Sequence, residues 1–307
     1  MRLKLGRPDI GTYSDRFTVP QAADGALGVT FLGVATLLID DGESAVMTDG
    51  FFSRPGLLDV ALRRIAPNAG RIDECLARAG VSTLSAVLPV HSHFDHVMDS
   101  AEVAARTGAT LVGGTSTAMT GTALPADQRM LAVSGEPMTF GSFEITLIES
   151  THCPPDRYPG VIDAPVVPPV KAGAYKCGEA WSIVVQHTSG ASVLVQGSAG
   201  FVEGALAGVS AEVVYLGVGQ LGVQSQDYIE TFWRETVQAV GARQVVLIHW
   251  DDFFRPLTLP LRALPYAGDD LDVTMRVLGR LAERDGVALA LPSVWERQDP
   301  WSLTAGA

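Results

Sequence analysis

Val90-His91-Ser92-His93-Phe94-Asp95-His96-Val97 is the stretch from which the rest of the chain is best read. The sequence has six histidines, and three of them fall between positions 91 and 96. Upstream, Ala86 to Val90 is a short apolar run that predicts a buried strand. Downstream, Val97 to Arg106 has a helical pattern, and Ala109 to Val112 predicts the next strand. In an extended segment leaving a strand, residues i and i+2 project to one side, so His91 and His93 offer two imidazoles to one point. A turn into the helix would swing Asp95 and His96 toward a second point nearby. Neutral imidazole and carboxylate are ligand types that suit zinc and related divalent ions. A polar surface loop with Asp95 as a helix cap is the simpler alternative, and the density of histidines weighs against it.

Working outward, β-rich runs alternate with helical stretches. Val29 to Leu32, Thr36 to Ile39 and Ala45 to Thr48 predict strands, with Asp41-Gly42 as a hairpin turn between the last two. Helices are expected at Leu57 to Ile65 and at Ile72 to Ala79, the second closed by Gly80. The span from Met138 to Gln196 is mostly β in character, clearest at Phe143 to Ile148, Trp181 to His187 and Ser192 to Val195, with a turn at Ser189-Gly190. Alternation resumes with the strand Val213 to Leu216, an amphipathic helix Asp227 to Val240 and the strand Val245 to Ile248, which ends at His249. A last helix carries Leu271, Met275, Leu278 and Leu281, before the strand Val287 to Leu291. Two similar halves with no linker between them predict one domain over 1–307. It would carry an N-terminal extension at about 1–27 and a proline-rich insertion at about 153–178.

Composition bounds the function classes. The 307 residues are 47% hydrophobic and 18% charged, with a formal net charge of −12. So acidic a surface repels phosphate backbones, which argues against a nucleic-acid partner, although a local metal charge could still accept an anionic small molecule. No apolar run reaches the roughly 20 residues of a membrane helix. Met1 to Phe17 lacks a continuous apolar core, so no secretory signal is read and a cytoplasmic location is expected. The three cysteines, Cys75, Cys153 and Cys177, are too scattered for a disulfide framework, and a Cys153–Cys177 bridge across the insertion is the less favoured reading. Self-association is left open.

The histidine-rich stretch resembles the hallmark of the metallo-β-lactamase superfamily, His-x-His-x-Asp-His directly after a strand, and the resemblance runs from about Val29 to Leu291. It implies an α/β fold, a four-layered αββα sandwich with its metal site along one edge of the two sheets. Further family landmarks match Asp49 after an early strand, His152 downstream of the signature and His249 at the end of a late strand. The implied ligand sets are His91, His93 and His152 for one ion, and Asp95, His96 and His249 for another. One landmark departs: Ser198, in Gly197-Ser198-Ala199-Gly200, stands where the family usually has an aspartate that bridges two metals. A hydroxyl is a far poorer ligand than a carboxylate, so the second site is expected to be weaker. Asp49 is expected to hold the signature loop from behind the ligands.

The implied activity is metal-dependent hydrolysis. Zinc, as one or two Zn2+ ions with Mn2+ or Fe2+ as alternatives, lowers the pKa of bound water to about 7 and makes hydroxide available. Asp95, ligand and hydrogen-bond acceptor at once, would orient the nucleophile and pass a proton to the leaving group. The expected substrate is a small-molecule or lipid-like ester, lactone, amide or phosphodiester. The Phe31-Leu32-Gly33-x-x-Thr36-Leu37-Leu38 pair looks closer to the lactonase and N-acyl phospholipid hydrolase group than to secreted β-lactamases. A phosphodiesterase is the alternative enzyme, and a metal-bearing scaffold without turnover is the non-enzyme alternative. Arg54, Tyr158, Tyr175, Lys171 and Lys176 are candidate substrate contacts, the last four from an insertion that would be either a lid or a contact between copies. Asp251 and Asp252 could orient His249, and His187 reads as a surface histidine.

Overall fold

A computed structural model describes residues 4–304; the outermost three residues at each end of the expected 1–307 domain lie outside it. Two seven-stranded mixed sheets face each other. The first contains β1 (Gly28–Phe31), β2 (Leu37–Asp40), β3 (Ala45–Thr48), β4 (Ala86–Leu88), β5 (Thr110–Gly113) and β6 (Arg129–Leu131). The second is built from β7 (Pro137–Phe140), β8 (Phe143–Ser150), β9 (Ala180–His187), β10 (Ser192–Gln196), β11 (Val213–Gly217), β12 (Gln244–Ile248) and β13 (Ala288–Ala290). The chain then returns to the first sheet, where β14 (Arg297–Gln298) pairs with β1. The helices are α1 (Leu57–Leu62), α2 (Ala69–Arg78), α3 (Phe94–Val97), α4 (Ser100–Thr107), α5 (Thr115–Thr120), α6 (Gln226–Trp233) and α7 (Leu271–Asp285).

Side-chain alternation explains the layers. In β2 and β3, Leu37, Ile39 and Val46 join the central core that also holds Phe143, Ile145, Leu147, Ile183 and Val195 of the second sheet. Leu38, Met47, Val87 and Leu111 point the other way, onto Ile72, Cys75 and Leu76 of α2 and Val103 and Ala104 of α4. The strands β10 to β13 run parallel and read as continuous Val/Leu-rich stretches, as strands buried on both faces do. Ile229, Phe232 and Trp233 of α6 and Leu271, Met275 and Leu278 of α7 cover this second sheet. The result is the expected αββα sandwich.

Several boundaries differ from the sequence reading, and each difference has a local cause. The strand predicted to Val90 stops at Leu88, because the Val90 N–H donates to Asp49 Oδ1 (2.9 Å) and its carbonyl accepts from Trp181 N (2.8 Å). The single helix expected over Val97 to Arg106 is two, α3 and α4. Between them the Asp99 carboxylate takes the Ser53 hydroxyl (2.7 Å) and the N–H groups of Phe52 and Ser53. The helix expected to Val240 is α-helical only to Trp233 and continues as a π-helical stretch over Arg234–Gln238. Helix α2 begins three residues early, since the Asn68 side chain accepts from Arg71 N (3.1 Å) and caps it. Helix α1 ends at Leu62, and Ile65 instead exchanges backbone hydrogen bonds with Val170 of the proline-rich insertion (2.7 and 3.0 Å).

The strands deliver their carboxyl ends to one edge of the sandwich. Asp49 follows β3, His91 to His96 follow β4, His152 follows β8, Ser198 follows β10 and His249 follows β12. Segments as far apart in sequence as Asp49 and His249 therefore meet because the sheets are packed, with no help from local sequence.

Candidate metal centre

At that edge five imidazoles and one carboxylate form two groups of three potential ligands. His91, His93 and His152 each offer a ring nitrogen, and these atoms all lie within 4.8 Å of one another. Their ring centroids make a near-equilateral triangle of 4.7, 5.0 and 4.7 Å. His91 Nε2 and His93 Nδ1 are 3.0 Å apart. Asp95, His96 and His249 form the second group, with Asp95 Oδ2 at 3.8 Å from His96 Nε2 and 3.6 Å from His249 Nε2. The groups adjoin, the rings of His91 and His96 being 4.0 Å apart.

Backbone strain gathers at the same edge. Val34, Asp49, Arg54 and His249 all have positive φ, between 42° and 59°. For a β-branched residue such as Val34 that conformation is an outlier, and strain of this kind persists only where the surroundings over-determine it. Here they do: the His249 N–H donates to the Val34 carbonyl (2.7 Å), and the Val34 N–H donates to Asp251 Oδ1 (2.9 Å). Gly219 closes the other side, since a Cβ there would come within 2.9 Å of His249 Nδ1.

Electrostatics favour ligands in their binding forms. Burial holds His91 well below the usual histidine pKa, reinforced by the neighbouring imidazoles. Burial likewise lowers His249, and it lowers His152, with His93 beside it, to about 4. For Asp95 burial opposes ionisation, yet His96, His249 and His93 outweigh it and keep the carboxyl below its ordinary value. His96 is the exception. Burial opposes its charge, but Asp49 and Asp95 together raise its pKa. Asp49 Oδ2 sits 2.7 Å from His96 Nδ1, which leaves Nε2 facing Asp95.

A divalent cation fits this donor set on an observation of the structure itself. His96 Nε2 is fully buried with no hydrogen-bond partner, as is Nδ1 of His91. A buried nitrogen left without a partner costs free energy, and a cation at the Asp95–His96–His249 group would satisfy the one on His96.

The remaining candidates are placed less as the sequence suggested. Arg54 is not available to a substrate: its side chain is 0% exposed and paired with Asp251, itself 0% exposed. Tyr175 is also enclosed, packed with Phe51, Phe94, Val97 and Met98, and its hydroxyl has no partner. Tyr158 is half-buried beside the centre, its ring centroid 6.1 Å from that of His93. Lys176 is half-buried in the neck of the insertion, with its Cδ over Gly160, and Lys171 is exposed and donates to the Leu62 carbonyl (2.6 Å). Ser198 uses its hydroxyl to accept the Cys153 N–H (3.0 Å), so it shapes the turn that carries His152. The three cysteines are free and buried. His187 is tucked against Phe143, with Nε2 3.0 Å from Asp41. Asp252 does not orient His249; it pairs with Arg7 and Arg262.

Two residues were not singled out from the sequence. Asp156 Oδ1 is 3.1 Å from His93 Nε2, and Phe253 stacks edge-on to His249 at 5.7 Å. The signal for Asp156 was its position four residues after a candidate ligand, which a proline-rich loop does not translate into a direction. Phe253 offered none.

The metallo-beta-lactamase superfamily model matches residues 29–199, more than half of the chain. The chain belongs to that superfamily. A metal-dependent hydrolase from Heliobacterium modesticaldum is 31% identical over 86 residues, 28% of this chain and 29% of that protein, so the match spans under a third of that relative. Among solved structures, the diiron β-hydroxylase CmlA from Streptomyces venezuelae superposes with a TM-score of 0.56 at 12% identity, over 91% of this chain and 55% of that one. A possible metal-dependent hydrolase from Veillonella parvula gives 0.52 at 16% identity, over 89% and 99%. These two likenesses are likenesses of fold.

Proposed function

We propose that the protein is a metal-dependent hydrolase that holds two divalent ions, zinc in the first instance, at the paired groups His91/His93/His152 and Asp95/His96/His249. The convergence of these six donors from the ends of three strands, with their free atoms turned toward one another, is the observation that carries the reading. Ions so held would lower the pKa of a bound water to about 7 and polarise the oxygen of a carbonyl or phosphoryl substrate.

The chain's own residues supply the rest. Asp49 accepts from His96 and from the Val90 N–H, and so fixes the loop in which the signature begins. Asp95, the only carboxylate in the two groups, can accept a proton from the nucleophile and return it to the leaving group. Two divalent ions would set four positive charges against the three carboxylates of Asp95, Asp49 and Asp156, a local positive excess within a protein of net charge −12, which favours an anionic or strongly polar reacting group. Beside it, Phe253 and Phe254 stack at 4.5 Å and Phe94 stands 6.3 Å from Phe253, an apolar wall suited to the hydrocarbon part of a substrate. An ester, lactone, amide or phosphodiester with an apolar arm meets both demands. The single carboxylate and the inward use of Ser198 also support unequal affinities, with the second ion weaker.

The test is titration of the metal-free protein with Zn2+, followed by assay on matched lactone, ester, amide and phosphodiester panels of increasing acyl length. Two unequal binding steps and chelator-sensitive turnover that improves with acyl length are expected. A protein that binds two ions but turns over none of the panels would sink the hydrolase reading, and one that binds no ion would sink the centre itself.

A further inference from the structure

The proline-rich insertion meets the centre at its neck, and the contact is specific. His93 presents Nδ1 toward His91 Nε2 at 3.0 Å, while its other nitrogen, Nε2, faces Asp156 Oδ1 at 3.1 Å and the Tyr158 carbonyl at 3.4 Å. Both oxygens come from the insertion, the carbonyl as hydrogen-bond acceptor and the carboxylate as a close negative charge. We propose that Asp156 is a positioning residue that holds the His93 ring, with its proton on Nε2 and its lone pair on Nδ1 directed at the His91/His93/His152 group.

The chemistry of imidazole requires one or the other. A neutral ring carries its proton on one nitrogen and its lone pair on the other, and a carboxylate behind a ring selects which. The Tyr158 carbonyl accepts at Nε2, and the Asp156 carboxylate, 3.1 Å away, puts its negative charge on the same side of the ring, so the tautomer able to donate its Nδ1 electron pair to a cation is the one favoured. Asp156 is itself held, since the Tyr158 N–H donates to the same Oδ1 at 2.9 Å. The Tyr158 carbonyl is fixed by the Cys177 N–H (2.9 Å), and the Cys177 carbonyl accepts from Ser92 N (2.8 Å), the residue between His91 and His93. The start and the end of the insertion are thus clamped across the signature loop. In the other group Asp49 stands behind His96 and accepts a hydrogen bond from its Nδ1, at 2.7 Å. Each group then has one histidine with a carboxylate behind it.

A second use of the same atoms is weaker. His93, Asp156 and Cys177 also lie close enough to surround an ion of their own. A ligand role for His93 Nε2 there would strip the ring of both protons while Nδ1 serves the main centre, and it would cost Nε2 its contacts with Tyr158 and Asp156. Orientation of a single ligand needs neither.

The proposal rests on the metal centre described above, and its test keeps the two separable. Asp156→Ala and Asp156→Asn are compared with wild type, and Asp163→Asn, an exposed carboxylate change elsewhere in the same insertion, serves as control. In the metal-free proteins, nitrogen-15 NMR of the histidine rings reads the His93 tautomer without any ion. Wild type is expected to show His93 protonated at Nε2. Asp156→Ala is expected to show a mixture of tautomers, and Asp156→Asn, which keeps an acceptor oxygen without the charge, a smaller change. Competition against a chromophoric chelator then reads zinc affinity, with an expected loss of about 10- to 100-fold for Asp156→Ala, less for Asp156→Asn and none for Asp163→Asn. An Asp156→Ala protein with the wild-type tautomer, or with zinc affinity within about twofold of wild type, overturns the proposal. Should Asp156→Ala fail to fold, the near-isosteric Asp156→Asn decides it by the same two readouts. Absence of zinc binding by wild type would count against the centre alone, because the tautomer comparison does not depend on metal.

Discussion

Arg54 and Asp251 form a fully buried ion pair joining the loop after β3 to the loop after β12. Asp251 also accepts the Val34 N–H, and the Val34 carbonyl holds the His249 N–H, so the pair lies two hydrogen bonds behind a candidate ligand. Two of the guanidinium nitrogens, Nε and Nη1, have no partner, which makes the arrangement costly to build and costlier to break in half. Removing one partner of a buried pair leaves an uncompensated charge and typically costs about 3–5 kcal/mol. Arg54→Met is therefore expected to lower unfolding free energy by that order, measured by urea denaturation. The double variant Arg54→Met/Asp251→Asn should recover much of the loss, because the stranded charge is gone. Additive single-variant effects would show that the two residues do not act as a pair.

At this scale the sequence was most informative where chemistry is carried by rare residue types in tight spacing. His91, His93, Asp95 and His96 advertise themselves, and His152 and His249 can be matched once a family is recognised. Arg54 was misread because a single arginine near a turn is indistinguishable from a surface one until its partner 197 residues away is known. Asp156 was invisible for the mirror-image reason: a short acidic residue between prolines reads as solvated loop. Both are long-range electrostatic contacts, which period and composition do not encode.

At the scale of elements, the approach to α7 holds a carboxyl under unusual conditions. Asp269 is 3% exposed, accepts the N–H groups of Gly222 (3.0 Å) and Asp270 (2.8 Å), and has the Asp270 carboxylate and the Cys153 thiol as ionisable neighbours. Burial pushes its pKa up to about 7 despite those donors. An unfolded aspartate ionises near pH 4, at about 3.9. Between about pH 4 and 7 the unfolded chain has released a proton that the folded chain keeps. The stability this group contributes is thus whole below about pH 4 and is lost as pH rises to 7, by up to about 1.4 kcal/mol per unit. Asp269→Asn should gain stability over wild type on going from pH 5 to pH 8, measured as paired unfolding free energies. Parallel pH profiles would rule the effect out. The elements themselves were legible in type because β2, β3 and β8 to β13 have strong periodicity or unbroken Val/Leu runs. Their ends were less so: the Asn68 cap acts locally on Arg71 and was overlooked, whereas the break at Asp99 depends on backbone N–H groups 46 and 47 residues away.

For the whole molecule, the question is how far the fold depends on what it holds. The two sheets close on an apolar core running from Val29 and Phe31 to Leu289 and Leu291, and α2, α4, α6 and α7 seal the outer faces with apolar contacts of their own. The candidate ligands follow strand ends at one rim of these layers. A structural zinc domain too small to bury a core unfolds without its metal, whereas 307 residues bury enough apolar surface to stand alone. Chelation should therefore leave the far-ultraviolet circular dichroism of the protein unchanged at 25 °C. The stability should still fall, because an ion that binds only the native state adds RT ln(1 + [L]/Kd), about 4 kcal/mol when free metal stands at a thousandfold its dissociation constant. For a chain of this size that corresponds to several degrees in thermal midpoint. Calorimetry at increasing Zn2+ concentrations would show the midpoint climbing with the logarithm of free metal. A midpoint indifferent to both chelator and zinc would mean that the rim histidines bind no ion, whereas collapse of the secondary structure on chelation would mean that the core is not self-sufficient.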